Sequence, residues 1–166
     1  MIRREFLATL GALMVAQRSV AASPTDPVKI DKLVLSEAEW RKRLTPTQFD
    51  VLRKEGTERA GTSPLNAEKR KGVYVCAGCD LPLFSSETKY ESGTGWPSFY
   101  APIPGRVATK TDYKIIYPRT EYHCARCGGH QGHVFDDGPP PTGQRWCNNG
   151  IALRFVPAAS GAVRRG

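Results

Sequence analysis

Five cysteines stand at positions 76, 79, 124, 127 and 147 of a 166-residue chain. Four form two C-x-x-C pairs, Cys76-Ala-Gly-Cys79 and Cys124-Ala-Arg-Cys127, with 44 residues between them. Each pair can turn two thiolates toward one point, helped by the turn-permissive Gly78 in the first and Gly128-Gly129 after the second. Two such knuckles supply the four sulfurs of a tetrahedral zinc site, and four sulfur ligands leave no open position for water. The expectation is one structural Zn2+ held by Cys76, Cys79, Cys124 and Cys127. Two disulfides are the competing reading, but each would close only a tiny loop and staple little. Iron is the other metal that a thiolate tetrahedron suits.

Cys147 is left over. A fifth thiol is either an unused buried residue or a reactive one, and its neighbourhood decides. Here the neighbourhood is Gln144-Arg145-Trp146-Cys147-Asn148-Asn149-Gly150, with His130-Gln-Gly-His133 upstream. A nearby cation or imidazolium lowers a thiol's pKa, and polar residues are a poor lining for an inert core thiol. The setting favours a nucleophile.

These residues must be positioned by the elements around them. Ser36 and Glu39 form a capping box with Leu35 and Trp40 as staple, and Thr45, Pro46 and Gln48 repeat it with Leu44 and Phe49. Two short helices are therefore predicted, the second stopping at Gly56. From Gly72 on, strand-like pieces alternate with Gly/Pro turns: Gly72–Val75, Tyr113–Tyr117, Thr120–His123, Gly132–Phe135 and Ile151–Val156. Loops at Ser92–Phe99 and Asp136–Gly143 interrupt them. The domain is read as mainly β.

Residues 1–22 carry Arg3-Arg4, an apolar stretch from Phe6 to Ala16 and a small-residue ending, the pattern of a bacterial export signal similar to the twin-arginine type. Its removal takes away three arginines and one glutamate and lowers the formal charge from +8 to +6. We expect residues 23–34 to be a flexible leader, 35–157 the domain and 158–166 a flexible tail, with the protein delivered to the periplasm. The basic residues are scattered and not interleaved with aromatics, which argues against a nucleic-acid platform. No apolar run reaches the roughly 18 residues of a membrane span.

From about Leu35 to Val156 the chain resembles the zinc-containing branch of the B-type methionine sulfoxide reductases. The likeness is carried by Leu35-Ser-Glu-x-Glu-Trp-Arg, Leu44-Thr-Pro-x-Gln, both C-x-x-C pairs, Gly95-Trp-Pro-Ser-Phe99, His130-x-Gly-His-Val-Phe135, Asp137-Gly-Pro139, Pro141-Thr-Gly-x-Arg-x-Cys147 and Leu153-Arg-Phe155. The resemblance implies two facing antiparallel sheets with short N-terminal helices, the structural zinc, and reduction of the R-epimer of methionine sulfoxide in oxidised proteins or peptides. It implies Cys147 as nucleophile and His130 or His133 as proton donor. Arg145 would support the thiolate, Asn149 add a polar contact, and Trp96 and Phe99 help to bind substrate. Asp137 is read as shaping its turn and His123 as structural or exposed.

Many relatives carry a second cysteine where this chain has Thr94. Without it, a one-cysteine cycle is expected: Cys147 becomes a sulfenic acid and an external thiol reduces it, with direct recycling by a thioredoxin-like donor in doubt. Gly150 stands where a serine is usual and should alter packing near the site. A monomer is expected. The other function classes considered are a zinc-stapled binding module without turnover and a nucleic-acid-binding zinc ribbon.

Overall fold

The computed structural model describes residues 29–114 and 117–159. The export signal and the first half of the leader expected at the N-terminus lie outside the described residues. Both capping boxes are made. Ser36 and Glu39 close the first turn of α1 (Glu37–Arg43), and Thr45 and Gln48 that of α2 (Pro46–Lys54). The second helix does not stop at Gly56 but one residue earlier: Glu55 takes the left-handed conformation, and the Gly56 N–H reaches back to the Asp50 carbonyl.

Among the described residues nine strands follow: β1 (Gly72–Cys76), β2 (Pro82–Ser85), β3 (Lys89–Tyr90), β4 (Ser98–Phe99), β5 (Val107–Asp112), β6 (Arg119–Cys124), β7 (His130–Phe135), β8 (Arg145–Asn148) and β9 (Leu153–Pro157). They form a three-stranded sheet in the order β2-β1-β9 and a six-stranded sheet in the order β3-β4-β8-β7-β6-β5. Every pairing is antiparallel. Two expected strands are displaced. The one placed at Tyr113–Tyr117 ends at Asp112, whose carboxylate accepts from the Lys114 N–H and turns the chain. The one expected from Ile151 begins at Leu153, because Gly150–Ala152 forms a 3-10 turn.

Alternation along the strands sorts side chains between two faces. Toward the three-stranded sheet point Phe99, Tyr122 and Trp146, which meet Tyr74 and Phe84. Phe84 stacks on Phe99 at 4.2 Å, Tyr74 meets Phe99 edge-on at 4.9 Å, and Tyr122 meets Trp146 edge-on at 5.0 Å. Each such pair adds about 0.5–1.5 kcal/mol beyond the area it buries. This aromatic line joins the sheets and leaves the other face of the larger one for chemistry.

The domain starts before residue 35. The Leu33 N–H donates to the Arg126 carbonyl at 2.9 Å, Lys32 Nζ donates to the Ala125 carbonyl, and Ile30 and Leu33 pack on the core. At the other end Ala158 still bonds to Lys71. Among the described residues no helix is long and apolar enough to cross a membrane.

Candidate active site

The two knuckles meet as expected. The Sγ atoms of Cys76, Cys79, Cys124 and Cys127 all lie within 4.8 Å of one another, with Cys76 to Cys127 at 3.7 Å and Cys79 to Cys124 at 3.5 Å. Four sulfurs at about 2.3 Å from a central zinc would stand about 3.8 Å apart, so the spacing fits a tetrathiolate. Crowded thiols cannot all ionise unaided: their mutual hydrogen bonds push Cys127 up and Cys124 down. Leu52 and Trp40 cover the cluster, and a side chain at Gly129 would press on Leu52 at 3.0 Å.

Cys147 lies within β8, half-buried. Across β8 and β7 it faces His133, and across β8 and β4 it faces Ser98; His133 in turn faces Glu121. Directly paired residues in an antiparallel ladder share a face, so hydroxyl, thiol, imidazole and carboxylate form one row. The register demands Gly132, since a Cβ there would overlap the Cys147 carbonyl.

The cleft over this row has a volume of about 140 Å³ and is lined by Thr57, Trp96, Arg119, His133, Phe135, Cys147 and Asn149, among others. Burial pushes the Cys147 thiol above its ordinary pKa, and the Arg145 guanidinium and Thr94 hydroxyl pull it back only in part. Arg145 is clamped by Asp137 through two bonds of 2.7 and 2.8 Å and lies over the Phe135 ring at 4.2 Å. Asp137 thus holds the guanidinium beside Cys147, beyond the turn-shaping role read for it.

The two histidines differ in their surroundings. His133 Nε2 bonds to Asp112 Oδ2 at 2.7 Å, and Arg119 holds the same carboxylate. Burial pushes the His133 imidazole down, and its bond to Asp112 offsets this only in part. His130 is buried beside it with ring centroids 5.5 Å apart, but its Nδ1 is held by Glu121 at 2.7 Å. It does not line the cleft. Burial disfavours the charge on Glu121, yet hydrogen bonds from His123 and His130 hold its carboxyl at about 2. His123 is therefore part of the same support.

Trp96 is half-buried and walls the cleft, its Nε1–H donating to the Glu58 carbonyl at 3.1 Å. Phe99, expected to touch substrate, instead sits in the aromatic core with no exposed surface: it follows Trp96 by three residues and β4 turns it inward. Asn149 lines the cleft, but both ends of its amide are engaged, Oδ1 by the Glu58 N–H and Nδ2 by the Gln131 carbonyl. Sequence reasoning missed Asp112, Arg119, Thr57, Glu58 and Gln131. For Glu121 a signal existed, an acid two residues before His123 on a recognised strand; for the others only long-range pairing brings them here.

The SelR domain profile matches residues 44–157. The chain is 58% identical over 122 residues to the chloroplastic peptide methionine sulfoxide reductase B1 of Arabidopsis thaliana, covering 73% of this chain and 60% of that protein. It is 52% identical over 127 residues to the peptide methionine sulfoxide reductase MsrB of Agrobacterium fabrum, covering 76% and 94%. For the protein of that name in Pseudomonas putida W619 the figures are 54% over 130 residues, 78% and 96%. The chain thus spans under two thirds of the plant relative and nearly the whole of these two bacterial ones.

Proposed function

This chain belongs to the B-type peptide methionine sulfoxide reductases, oxidoreductases that return methionine (R)-sulfoxide in proteins to methionine, and on that premise we propose how its cleft runs the reaction as a one-cysteine cycle. The observation that carries the proposal is the pairing of Cys147 with His133 in a small cleft walled by Trp96.

At neutral pH the raised thiol and the lowered imidazole are both uncharged. With Nε2 committed to Asp112, Nδ1 of His133 is the atom that can take the Cys147 proton and pass it on. As Cys147 Sγ attacks the sulfoxide sulfur, that proton goes to the sulfoxide oxygen, which would otherwise be a poor leaving group. The oxygen leaves as hydroxide while the Cys147–substrate S–S bond forms. A water then attacks Cys147 Sγ, giving up a proton, as that S–S bond breaks with its electron pair returning to the substrate sulfur. The sulfoxide is thus reduced to thioether and the thiol is oxidised to sulfenic acid. Two equivalents of an external thiol then restore Cys147, releasing water and a disulfide. Arg145 steadies charge on the attacking sulfur. A sulfoxide sulfur carries an oxygen, a methyl and the peptide-bearing methylene. With oxygen toward His133, methyl against Trp96 and the peptide toward solvent, only one epimer presents its sulfur to Cys147.

The cysteine cluster would hold one Zn2+, supplying a structural clamp and no step of the chemistry. The N-terminal pattern supports export by the twin-arginine route, which carries folded, metal-loaded protein, and we read the protein as a monomer served by a periplasmic thiol donor.

The test is turnover of a methionine sulfoxide peptide resolved into its epimers, with dithiothreitol as reductant and Cys147→Ser in parallel. Methionine should form from the R-epimer alone and not with the variant. A folded, metal-loaded protein inert toward both epimers would leave a binding module in place of an enzyme.

A further inference from the structure

Residues 55–62 form an irregular strap from the end of α2 to the loop that carries Trp96. Glu58, in its middle, is bonded to both walls of the cleft. Its carbonyl accepts the Trp96 indole N–H at 3.1 Å, and its N–H donates to Asn149 Oδ1 at 3.0 Å. Its carboxylate accepts the N–H groups of Gly150 and of Ile151, the latter at 3.0 Å. Those are the leading donors of the 3-10 turn Gly150–Ala152, which Asn149 does not cap with its own side chain. A residue 92 positions away in sequence therefore performs the capping.

Neither wall can shift freely once these bonds are made. Asn149 is fixed to β7 by two further bonds, from its N–H and its Nδ2 to the Gln131 carbonyl. The Trp96 loop is held to the strap again where the Gly61 N–H meets the Gly95 carbonyl at 2.8 Å, which Asn66 also contacts at 2.9 Å. Gly95 has a φ of 89°, and a side chain there would press on Ala60 at 3.0 Å, so strap and loop touch with no slack. The separation between the indole and the strand of Cys147 is thus set through one residue.

Resting on the reductase reading above, we propose that Glu58 is a positioning residue that sets the gap between Trp96 and Cys147 and thereby selects a methyl group on the sulfoxide sulfur. The carboxylate locks the strap, the strap's backbone locks the indole, and the methyl pocket keeps its width. Discrimination of one methylene in an apolar pocket is typically about 10–200-fold, so a modest loosening is enough to show.

The experiment compares the R-sulfoxides of methionine and ethionine, the latter one methylene larger, in the same peptide with the zinc-loaded full chain and its Glu58→Gln variant. Glutamine keeps the length but turns an amide nitrogen toward one of the two N–H groups, so one bond is lost and two donors face each other. We expect KM for the methyl substrate to rise about tenfold with kcat within about threefold. The methyl-to-ethyl ratio of kcat/KM should shrink about tenfold. Alkylation of Cys147 by iodoacetamide, which needs no indole wall, should stay within about twofold. A selectivity ratio unchanged within twofold overturns the proposal, as does a joint fall of kcat and alkylation rate, which would place Glu58 in support of the thiolate or of the fold. Should Glu58→Gln not fold, Trp96→Phe, which removes the indole donor to the Glu58 carbonyl, must narrow the same ratio or the proposal falls. Wild-type protein inert toward the methyl substrate would sink the reductase reading itself; wild-type turnover with an unmoved ratio sinks only the role of Glu58.

Discussion

At Cys147 burial and charge act in opposite directions, and burial prevails. The free thiol should therefore still be gaining reactivity toward iodoacetamide as pH passes 9, because the thiolate is the reacting form. Arg145 works to lower this pKa, so Arg145→Gln should move the profile further up and slow alkylation at pH 8. A profile that levels off below pH 7 would contradict this balance. The groups that act on the thiol from other elements are Thr94, Asp137, Tyr90 and Tyr122, with His133 paired to it across the ladder. Gly150 gives a second residue-scale expectation. A Cβ there would overlap the Ser63 hydroxyl, which occupies the space that a serine at 150 would need. Gly150→Ser should cost about 1–3 kcal/mol in urea unfolding, as overpacking does, and Ser63→Gly should recover most of it. The two positions share one volume.

Among the elements, the ladder β4-β8-β7-β6 does the positioning: it lines up Ser98, Cys147, His133 and Glu121 although they span residues 98 to 147. Asp112, at the end of β5, reaches into this row to hold His133 and favours its charged form. Replacing it by Asn should lower the His133 pKa further. The acid limb of the kcat/KM profile should then move to lower pH while the plateau falls about 10–100-fold, the scale of general acid–base assistance. An acid limb moving upward would assign the proton to another group. Local signals were legible wherever a short segment states its own geometry. Ser36-x-x-Glu39 and Thr45-Pro-x-Gln48 announced two helix starts, and the paired C-x-x-C motifs announced the cluster. Of the residues around the cleft, Cys147, His133, Trp96, Asn149 and Arg145 were named from the sequence. Asp112 and Glu58 were not, since an acid on a strand end or a strap has no meaning until a partner 21 or 91 residues away is brought against it. Of the other residues named from the sequence, His130 is buried against Glu121 and Phe99 lies in the aromatic core, because long-range pairing decides which side chains reach the cleft.

For the whole molecule, the cysteine cluster and the cleft are one construction. Gln131, fully buried, donates to Cys76 Sγ at 3.4 Å, accepts from Asn148, and offers its carbonyl to Asn149. Loss of metal should therefore be felt at the nucleophile. Stripping it with a chelator under mild acid should release one equivalent of zinc and cost several kcal/mol, lowering Tm by about 15 °C or more. Cys147 alkylation should lose its elevated pH dependence in the stripped protein. Retention of both Tm and profile would mean that the cluster is not a clamp.

The four remaining thiols of this sequence are gathered in that cluster, leaving Cys147 without a sulfur neighbour to close upon. Each turnover then ends on a sulfenic acid exposed to whichever molecule arrives next. In the reading of this enzyme as a repair catalyst working amid oxidants, a reductant rescues it, while a second oxidant molecule drives it to the irreversible sulfinic acid. Its working life would be counted in turnovers rather than in hours. Peroxide should inactivate it far faster when substrate is present and thiol scarce, with about 32 mass units gained at Cys147.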